Sequence, residues 1–235
     1  MFISNKCPCC NSNELRSKPA IFAPFIVARL KLSPLCNTMT CKVCGFVFVD
    51  VRYKKHHMKA LYKDYRGAEY TTLRELHEPG YTARNDKLLE PNTWKPDIEK
   101  FVREYIEPET VLDWGGDTGI NSPFDNASLS VYDITRKELV PRARRVTRPR
   151  GHFDLIVCAS VIEHIPNPMQ MLKKISSVKH EYIYIDAPRE SKRNRVWHEH
   201  INYFSRSSMR HLLDRCGLDV VGMRFTDNLL QVVCR

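Results

Sequence analysis

From residue 110 onward, short apolar runs alternate with amphipathic segments. Patterns typical of strands cover residues 111–113, 128–132, 145–147, 153–158, 182–185, 218–223 and 229–233. Helical periodicity covers residues 168–178 and 207–216, and Gly217 is suited to end the second helix. Alternation of this kind predicts an α/β fold, in which a mostly parallel sheet carries helices on both faces.

The first half of the chain has a different pattern. Residues 46–49 predict a strand, and residues 54–86 predict helix in which Tyr62, Tyr65, Tyr70 and Tyr81 alternate with Arg66, Arg74 and Arg84. These tyrosines either line a helix face that packs on the next domain or close over a ligand pocket. Another helix is expected between Pro96 and Pro108. We therefore expect an N-terminal module (1–53), a tyrosine-rich connector or lid (54–108) and an α/β domain (109–235).

Composition is that of a globular protein, with 43% hydrophobic and 27% charged residues in a chain of 235. These values exclude disorder, collagen and coiled coil. The longest apolar run near the N-terminus, residues 20–28, contains Pro24 and is far shorter than the about 20 residues of a membrane span. The N-terminus also lacks the pattern of a secretory signal. We therefore expect a cytoplasmic protein without a membrane partner.

Six of the nine cysteines lie within the first 44 residues. Two C-x-x-C pairs stand out, and a tetrahedral zinc ion takes four thiolates. An odd cysteine number without a secretion signal argues against a disulfide framework. The predicted ligands of a structural zinc ion in a small ribbon are Cys7, Cys10, Cys41 and Cys44. Cys9 and Cys36 are expected to be packed thiols, with Cys9 an alternative to Cys10.

A candidate cofactor site follows the first strand of the α/β domain. The apolar run that ends at Asp113 leads into a turn that contains Gly115, Gly116 and Gly119. Asp133, with Ile134 after it, follows the next strand twenty residues later. Glycines allow the backbone to approach a ligand closely, and an acidic residue in that place accepts hydrogen bonds from ribose hydroxyls. The pattern predicts a cofactor that contains a nucleoside.

Three segments resemble the class I S-adenosylmethionine-dependent methyltransferases. The first motif of that family, Asp-x-Gly-x-Gly-x-Gly, is matched by Asp113, Gly115 and Gly119, with Asp117 in place of the middle glycine. Residues 153–165, which end in a Glu-His turn, resemble the fourth strand of the family and its sequel. Residues 197–205 resemble a narrower branch that includes sugar C-methyltransferases. In that branch a cysteine-rich zinc segment precedes the methyltransferase domain.

The resemblance implies a Rossmann-like sheet, with S-adenosylmethionine and a structural zinc ion as cofactors. It implies a cofactor site made of Asp113, Gly115, Gly116, Gly119, Asp133, Ile134 and Ser160. His200 is the candidate base, because imidazole titrates near neutrality, and His198 is a weaker alternative. Glu199 is expected to position the substrate or to tune His200. The long sugar C-methyltransferases carry a further C-terminal domain that the resemblance does not cover, and residues 144–150 are basic where the family often has an acid near adenine.

The net charge of +10 points to an anionic partner. Basic residues concentrate at 136–150 and 189–195, and they suit the phosphates of a nucleotide-linked sugar or of RNA. We favour a small-molecule acceptor, a sugar or nucleotide-linked sugar, over nucleic acid. An RNA methyltransferase is the alternative, although residues 159–161 replace the Asn/Asp-Pro-Pro-aromatic motif expected for methylating a base nitrogen. A catalytically inactive zinc-ribbon binding module is the further alternative, supported by the substituted Asp117.

Overall fold

The computed structural model describes residues 1–90, 95–189, 195–196 and 199–235. The first half contains β1 (Phe2–Ile3), β2 (Leu15–Phe22), α1 (Pro24–Leu30), β3 (Leu35–Cys41), β4 (Val47–Val49), β5 (Val51–Arg52), α2 (Lys55–Leu61), α3 (Ala68–His77), α4 (Tyr81–Leu89) and α5 (Lys95–Val102). The second half contains β6 (Thr110–Trp114), β7 (Ser128–Tyr132), β8 (Ala143–Arg145), β9 (His152–Cys158), a 3₁₀ helix (Ile162–His164), α6 (Pro168–Ser176), β10 (Lys179–Pro188), β11 (Arg195–Val196), β12 (Asn202–Tyr203), α7 (Arg206–Asp214), β13 (Val220–Phe225) and β14 (Leu229–Cys234).

Some sequence-based predictions fall outside these ranges. The weaker base candidate His198 and its neighbour Trp197 lie outside the described residues. So do residues 190–194, which form most of the second basic segment.

The central sheet has seven strands in the order β13-β14-β10-β9-β6-β7-β8. The pairs from β10 through β9, β6 and β7 to β8 are all parallel, and β14 is antiparallel to both of its neighbours. Leu112 of β6 lies between Ser130 on one side and Ile156 on the other. This architecture confirms the predicted Rossmann-like sheet. A ligand crevice is expected where the strand order reverses, at the carboxyl ends of β6 and β9.

Helices cover both faces of this sheet. Leu112 packs into a core with α6 and α7, whereas its neighbour Val111 packs into a second core with α5 on the opposite face. Because β6 is buried on both sides, its sequence is a continuous apolar run instead of an alternating one. The predicted strands and helices of this domain are therefore confirmed, with boundaries shifted by a few residues.

The N-terminal module has a five-stranded sheet in the order β11-β2-β3-β4-β12. Two of its strands, β11 and β12, come from the C-terminal half of the chain. In β12, Asn202 pairs with Phe48 and Tyr203 with Val47 in antiparallel register. The sheet thus takes strands from both sides of the boundary proposed at residue 53.

The apolar run near the N-terminus is divided between two elements. Its first residues end β2, and Pro24 occupies the first turn of α1, where proline is favoured. Across the described residues, no helix combines the length and the apolar character that crossing a bilayer requires. The cytoplasmic location stays a prediction from the sequence.

The buried side chain of Arg52 connects the N-terminal module to the α/β domain. Its side chain is fully buried, with a fractional exposure of 1%. The guanidinium donates hydrogen bonds of 2.7–3.3 Å to the carbonyl oxygens of Val49, Ile165, Pro166 and Ile201 and to Asn202 Oδ1. Asn202 Nδ2 in turn donates to the carbonyls of Ile162 and Ile165. This network holds the segment after β9 against the segment that enters β12.

Candidate active site

The glycine turn begins where β6 ends. Gly115 has φ +90°, which favours glycine, and its amide donates to the Tyr132 carbonyl at 2.7 Å. A Cβ atom at Gly115 would lie 2.5 Å from Val161 Cγ2. The absence of a side chain therefore lets this turn contact the segment that follows β9.

Asp113 lies directly beneath the turn. Its carboxyl is buried and accepts a hydrogen bond from the Ser122 hydroxyl. Burial raises the pKa of Asp113 to about 6, although the Ser122 hydrogen bond opposes the shift. A Cβ atom at Gly116 would lie 2.4 Å from Asp113 Oδ2, and the Gly119 amide donates to the Gly116 carbonyl. The carboxyl thus sits against the backbone of the turn.

Asp133 follows β7 at the same edge of the sheet. Its Oδ2 accepts the Asp117 amide at 3.0 Å, and its Oδ1 accepts the Thr135 amide at 2.6 Å. These contacts aim the carboxylate at the glycine turn. Ile134, the next residue, has an exposed side chain.

Ser160 follows β9 with φ +52°, and its amide donates to Asp186 Oδ1 at 2.7 Å. Asp186 lies near the end of β10 and also accepts a hydrogen bond from the Tyr184 hydroxyl. Burial raises the pKa of Asp186 to about 6, and the hydrogen bonds from Tyr184 and Ser160 oppose the shift. Sequence reasoning missed Asp186. An acidic residue that ends the apolar run at 182–185 was the available signal.

Glu199 is buried and anchored by the connector. It accepts a hydrogen bond of 2.5 Å from the Tyr70 hydroxyl and forms an ion pair with Arg74. Burial raises the pKa of Glu199, but Arg74, His164 and the Tyr70 hydrogen bond outweigh it and lower the pKa to about 2. Glu199 is therefore a carboxylate that ties α3 to the segment before β12.

His200 lies in a cluster with Glu163 and His164. The rings of His200 and His164 are 4.6 Å apart, and Glu163 Oε1 lies 4.0 Å from His200 Nε2 and 3.7 Å from His164 Nε2. The Glu163 side chain is almost fully buried. The sequence pattern placed neither Glu163 nor His164 beside the acceptor. The Glu-His turn directly after β9 was the signal that pointed there.

This cluster is close to the glycine turn, because Val161, which contacts Gly115, immediately precedes the 3₁₀ helix that carries Glu163 and His164. Two tyrosine hydroxyls, those of Tyr53 and Tyr62, are buried without a hydrogen-bond partner among the described residues. The Tyr62 ring stands edge-on to His164 at 6.1 Å. The site therefore combines a carboxylate, two imidazoles and a tyrosine hydroxyl beside the turn.

The sulfur atoms of Cys7, Cys10, Cys41 and Cys44 lie within 4.8 Å of one another. The Cys7 to Cys44 distance is 3.6 Å, and the Cys10 to Cys41 distance is 3.4 Å. A tetrahedral zinc site with bonds of about 2.3 Å places its sulfur atoms roughly 3.8 Å apart. The donor set and its spacing therefore fit zinc. Cys9 instead contacts the Ser208 carbonyl of α7, and Cys36 packs in a different core.

Several basic side chains of residues 136–150 form contacts within the α/β domain. Arg142 donates to the Ser122 carbonyl, Arg144 to Ser130 Oγ and Arg145 to the Thr135 carbonyl. Lys137 pairs with Asp117. The exposed basic residues of this segment include Arg136, Arg148 and Arg150.

The profile of the methyltransferase domain family matches residues 89–222, more than half of the chain. Among solved structures, the chain is similar to Burkholderia thailandensis 1,6-didemethyltoxoflavin-N1-methyltransferase, which was solved with 1,6-didemethyltoxoflavin and S-adenosylhomocysteine. That match has 13% identity, a TM-score of 0.53, and covers 84% of this chain and 95% of the other. A SAM dependent methyltransferase from Aquifex aeolicus matches at 17% identity and a TM-score of 0.48, covering 65% and 96%. No curated protein matches the chain.

Proposed function

We propose that this chain methylates a sugar or nucleotide-linked sugar at carbon or oxygen. The chain belongs to the methyltransferase domain family and is an S-adenosylmethionine-dependent methyltransferase, and the proposal starts from that premise. The observation that carries this proposal is the cluster of Glu163, His164 and His200 beside the glycine turn. We propose further that Cys7, Cys10, Cys41 and Cys44 hold a structural zinc ion.

Bound S-adenosylmethionine supplies an electrophilic methyl group on a sulfonium. The protein must mainly align the acceptor with that methyl group, since the reaction is an in-line displacement. In our proposal, Asp113 and the turn of Gly115, Gly116 and Gly119 hold the methionine part, with Ser160 and Ile134 at the rim. Asp133 binds the ribose. A carboxylate has about four lone-pair sites, and its two amide contacts leave room for ribose hydroxyls.

His200 removes the acceptor proton in this proposal. Glu163 Oε1 lies 4.0 Å from His200 Nε2, so its carboxylate stabilises the positive charge that the ring gains when it takes the proton. Glu199 acts as a positioning residue, because its bonds to Tyr70 and Arg74 fix the backbone next to His200. The connector thereby helps to set the position of the base.

Replacing His200 with alanine is expected to lower kcat by roughly 10²- to 10⁴-fold, the usual contribution of a general base. Binding of S-adenosylmethionine is expected to change less than about 2-fold, because His200 lies on the acceptor side. Steady-state kinetics and calorimetry measure the two quantities. His180→Ala is the matched control, since His180 lies at the amino end of β10, away from the site. Full turnover by His200→Ala would refute the base.

The proposed acceptor is polar and rich in hydroxyl groups. A buried hydroxyl without a partner is costly, so the Tyr62 hydroxyl beside His164 favours a ligand that supplies a hydrogen bond. The exposed arginines near β8 favour an acceptor that also carries phosphate. A nucleotide-linked sugar meets both requirements.

A transfer assay with methyl-labelled S-adenosylmethionine tests the acceptor class. We expect label in nucleotide sugars, less in free sugars and background levels in total RNA, with His200→Ala as the inactive control. Strong labelling of RNA would establish the RNA methyltransferase alternative instead. Cofactor binding without transfer to any acceptor would favour the inactive binding module.

A further inference from the structure

The turn between α2 and α3 presents Arg66 in a defined direction. Asp64 and Arg66 have φ of +51° and +59°, a left-handed conformation that non-glycine residues rarely adopt. Asp64 Oδ2 accepts the Glu69 amide, and the Asp64 carbonyl accepts the Gly67 amide. Backbone of this kind persists where its surroundings hold it, and it is frequent at functional sites.

The guanidinium of Arg66 lies against the glycine turn. Its Nη1 is 3.6 Å from Asp117 Oδ2, and its centre lies 5.0 Å from the Tyr65 ring. Only 17% of the side chain is exposed. Its Nε is buried and has no hydrogen-bond acceptor among the described residues. A buried donor in this state is uncommon and indicates an acceptor atom supplied by a ligand.

Two cationic groups and two carboxylates meet at this turn. Besides Arg66, Lys137 pairs with Asp117, and its Nζ lies 3.4 Å from Asp117 Oδ2. The Asp133 carboxylate lies beside them, because its Oδ2 accepts the Asp117 amide at 3.0 Å. The charges therefore balance, and the unpartnered Arg66 Nε is the observation that indicates a missing acceptor. Arg66 lies against the turn proposed to hold the methionine part of the cofactor. The free end of that part carries an α-carboxylate.

We propose that Arg66 binds the α-carboxylate of the bound cofactor and that Asp117 positions Arg66 for this contact. The inference rests on the proposed cofactor site at the glycine turn. A guanidinium presents N–H groups in a planar fork that matches a carboxylate. Lys137 is a weaker candidate, because its side chain is more exposed, at 30%, and its ammonium already lies over the Tyr65 ring, 5.4 Å from the ring centre.

This assignment makes the connector part of the cofactor site. Tyr65 packs edge-on against both Tyr62 and Tyr70, and Tyr70 binds Glu199 beside the proposed base. One tyrosine cluster thus links the residue that holds the cofactor carboxylate to the residue that positions the base. The tyrosines pack in the core of the N-terminal module, and the proposal adds to this packing the second interpretation, in which they close over a ligand.

Decarboxylated S-adenosylmethionine, which keeps the ammonium group but lacks the carboxylate, tests the contact. Calorimetric titration of the wild type is expected to show about 10- to 100-fold tighter binding of S-adenosylmethionine, as expected for a charge-assisted hydrogen bond. In Arg66→Gln this ratio is expected to fall to about 2 or less, through weaker binding of the carboxylated cofactor alone. Asp117→Asn is expected to lower the ratio part of the way, and Lys137→Gln to keep it within about 3-fold of the wild type.

A ratio that survives in Arg66→Gln overturns the proposal, and so does a ratio that collapses in Lys137→Gln. A wild type that binds both cofactors equally also refutes it, whereas a wild type that binds neither refutes the cofactor site itself. Because the readout is a ratio within one variant, a general loss of folded protein does not imitate the expected result. Arg66→Lys, which restores the charge without the fork, is expected to recover the ratio partly.

Discussion

Replacing Arg52 with methionine is expected to lower the free energy of unfolding by about 3–5 kcal/mol. The guanidinium is fully buried and donates to five neutral oxygen atoms, four of them backbone carbonyls. Methionine fills much of the volume but donates no hydrogen bond. The carbonyls would remain buried without their donor, which is the costly outcome for polar groups in a protein interior.

Urea denaturation of the purified variant measures the effect. Arg52→Lys is expected to be intermediate, because an ammonium has three donors and cannot reach five acceptors in a plane. Arg103→Met is the matched control. Its side chain is exposed, and its ion pairs with Glu99 and Glu107 lie on the surface at the end of α5, so unfolding near the wild-type urea concentration is expected. An Arg52→Met protein that also unfolds at that concentration would contradict the assigned role.

Arg52 has a functional consequence as well. Two of its acceptors, Ile165 and Ile201, directly follow His164 and His200. Loss of the guanidinium therefore releases both segments that bring the two imidazoles together. Those Arg52→Met molecules that fold are expected to transfer methyl groups slowly.

Replacing Cys41 with serine is expected to have the second large effect, on metal content and folding. The wild type is expected to hold about one zinc ion per chain, and Cys41→Ser is expected to lose it, because the site needs four thiolates. Structural zinc binding in small modules contributes about 10–16 kcal/mol, so losing the ion is expected to unfold the N-terminal sheet. Metal analysis by mass spectrometry and circular dichroism measure the two effects.

Loss of the zinc ion is expected to slow methyl transfer as well, although the cysteines are not part of the cofactor site. β12 pairs with β4, which follows the second cysteine pair, and the Val49 amide also donates to the Ile201 carbonyl. Unfolding of this sheet removes the support of the backbone next to His200. Turnover is therefore expected to fall by more than about 100-fold. The strands that carry the glycine turn belong to the other sheet and are expected to stay folded.

Cys36→Ser is the matched control for the metal site. Cys36 is also a buried thiol of β3, but it packs in the core with Phe22 and Tyr53. We expect this variant to keep its zinc and to lose some stability. Zinc retained by Cys41→Ser would refute the ligand set. If Cys41→Ser loses its zinc but keeps full turnover, the N-terminal sheet does not support His200, and that part of the proposal is refuted.

Most of the central sheet was predictable. The runs that became β6, β9 and β14 are mostly apolar because each of these strands is covered on both faces. The hairpin of β2 and β3 was missed, since exposed residues such as Arg16 and Lys18 interrupt the pattern in β2. β12 was missed because it is a two-residue strand, formed by pairing with residues about 150 positions earlier.

Within the site, local patterns predicted a glycine turn and an acid after neighbouring strands and two cysteine pairs, and the fold brings the members of each set together. The same patterns also pointed to His200, but not to the carboxylate of Glu163 beside it, nor to Asp186 beneath Ser160. Those pairings depend on which strand ends meet at one edge of the sheet. The contact between Arg66 and Asp117 is of the same kind, because it joins the connector to a turn fifty residues later.

Residue spacing therefore indicated the elements and the class of fold, and it predicted the cofactor turn and the cysteine ligand set, since each depends on periodicity or on neighbours a few positions apart. The folded chain established which buried polar groups satisfy one another, as for Arg52 with five distant oxygen atoms and for Glu199 with Tyr70 and Arg74. The physical reason is that burial removes water from a polar group and obliges it to find another partner. Long-range packing supplies that partner, and no local pattern encodes it.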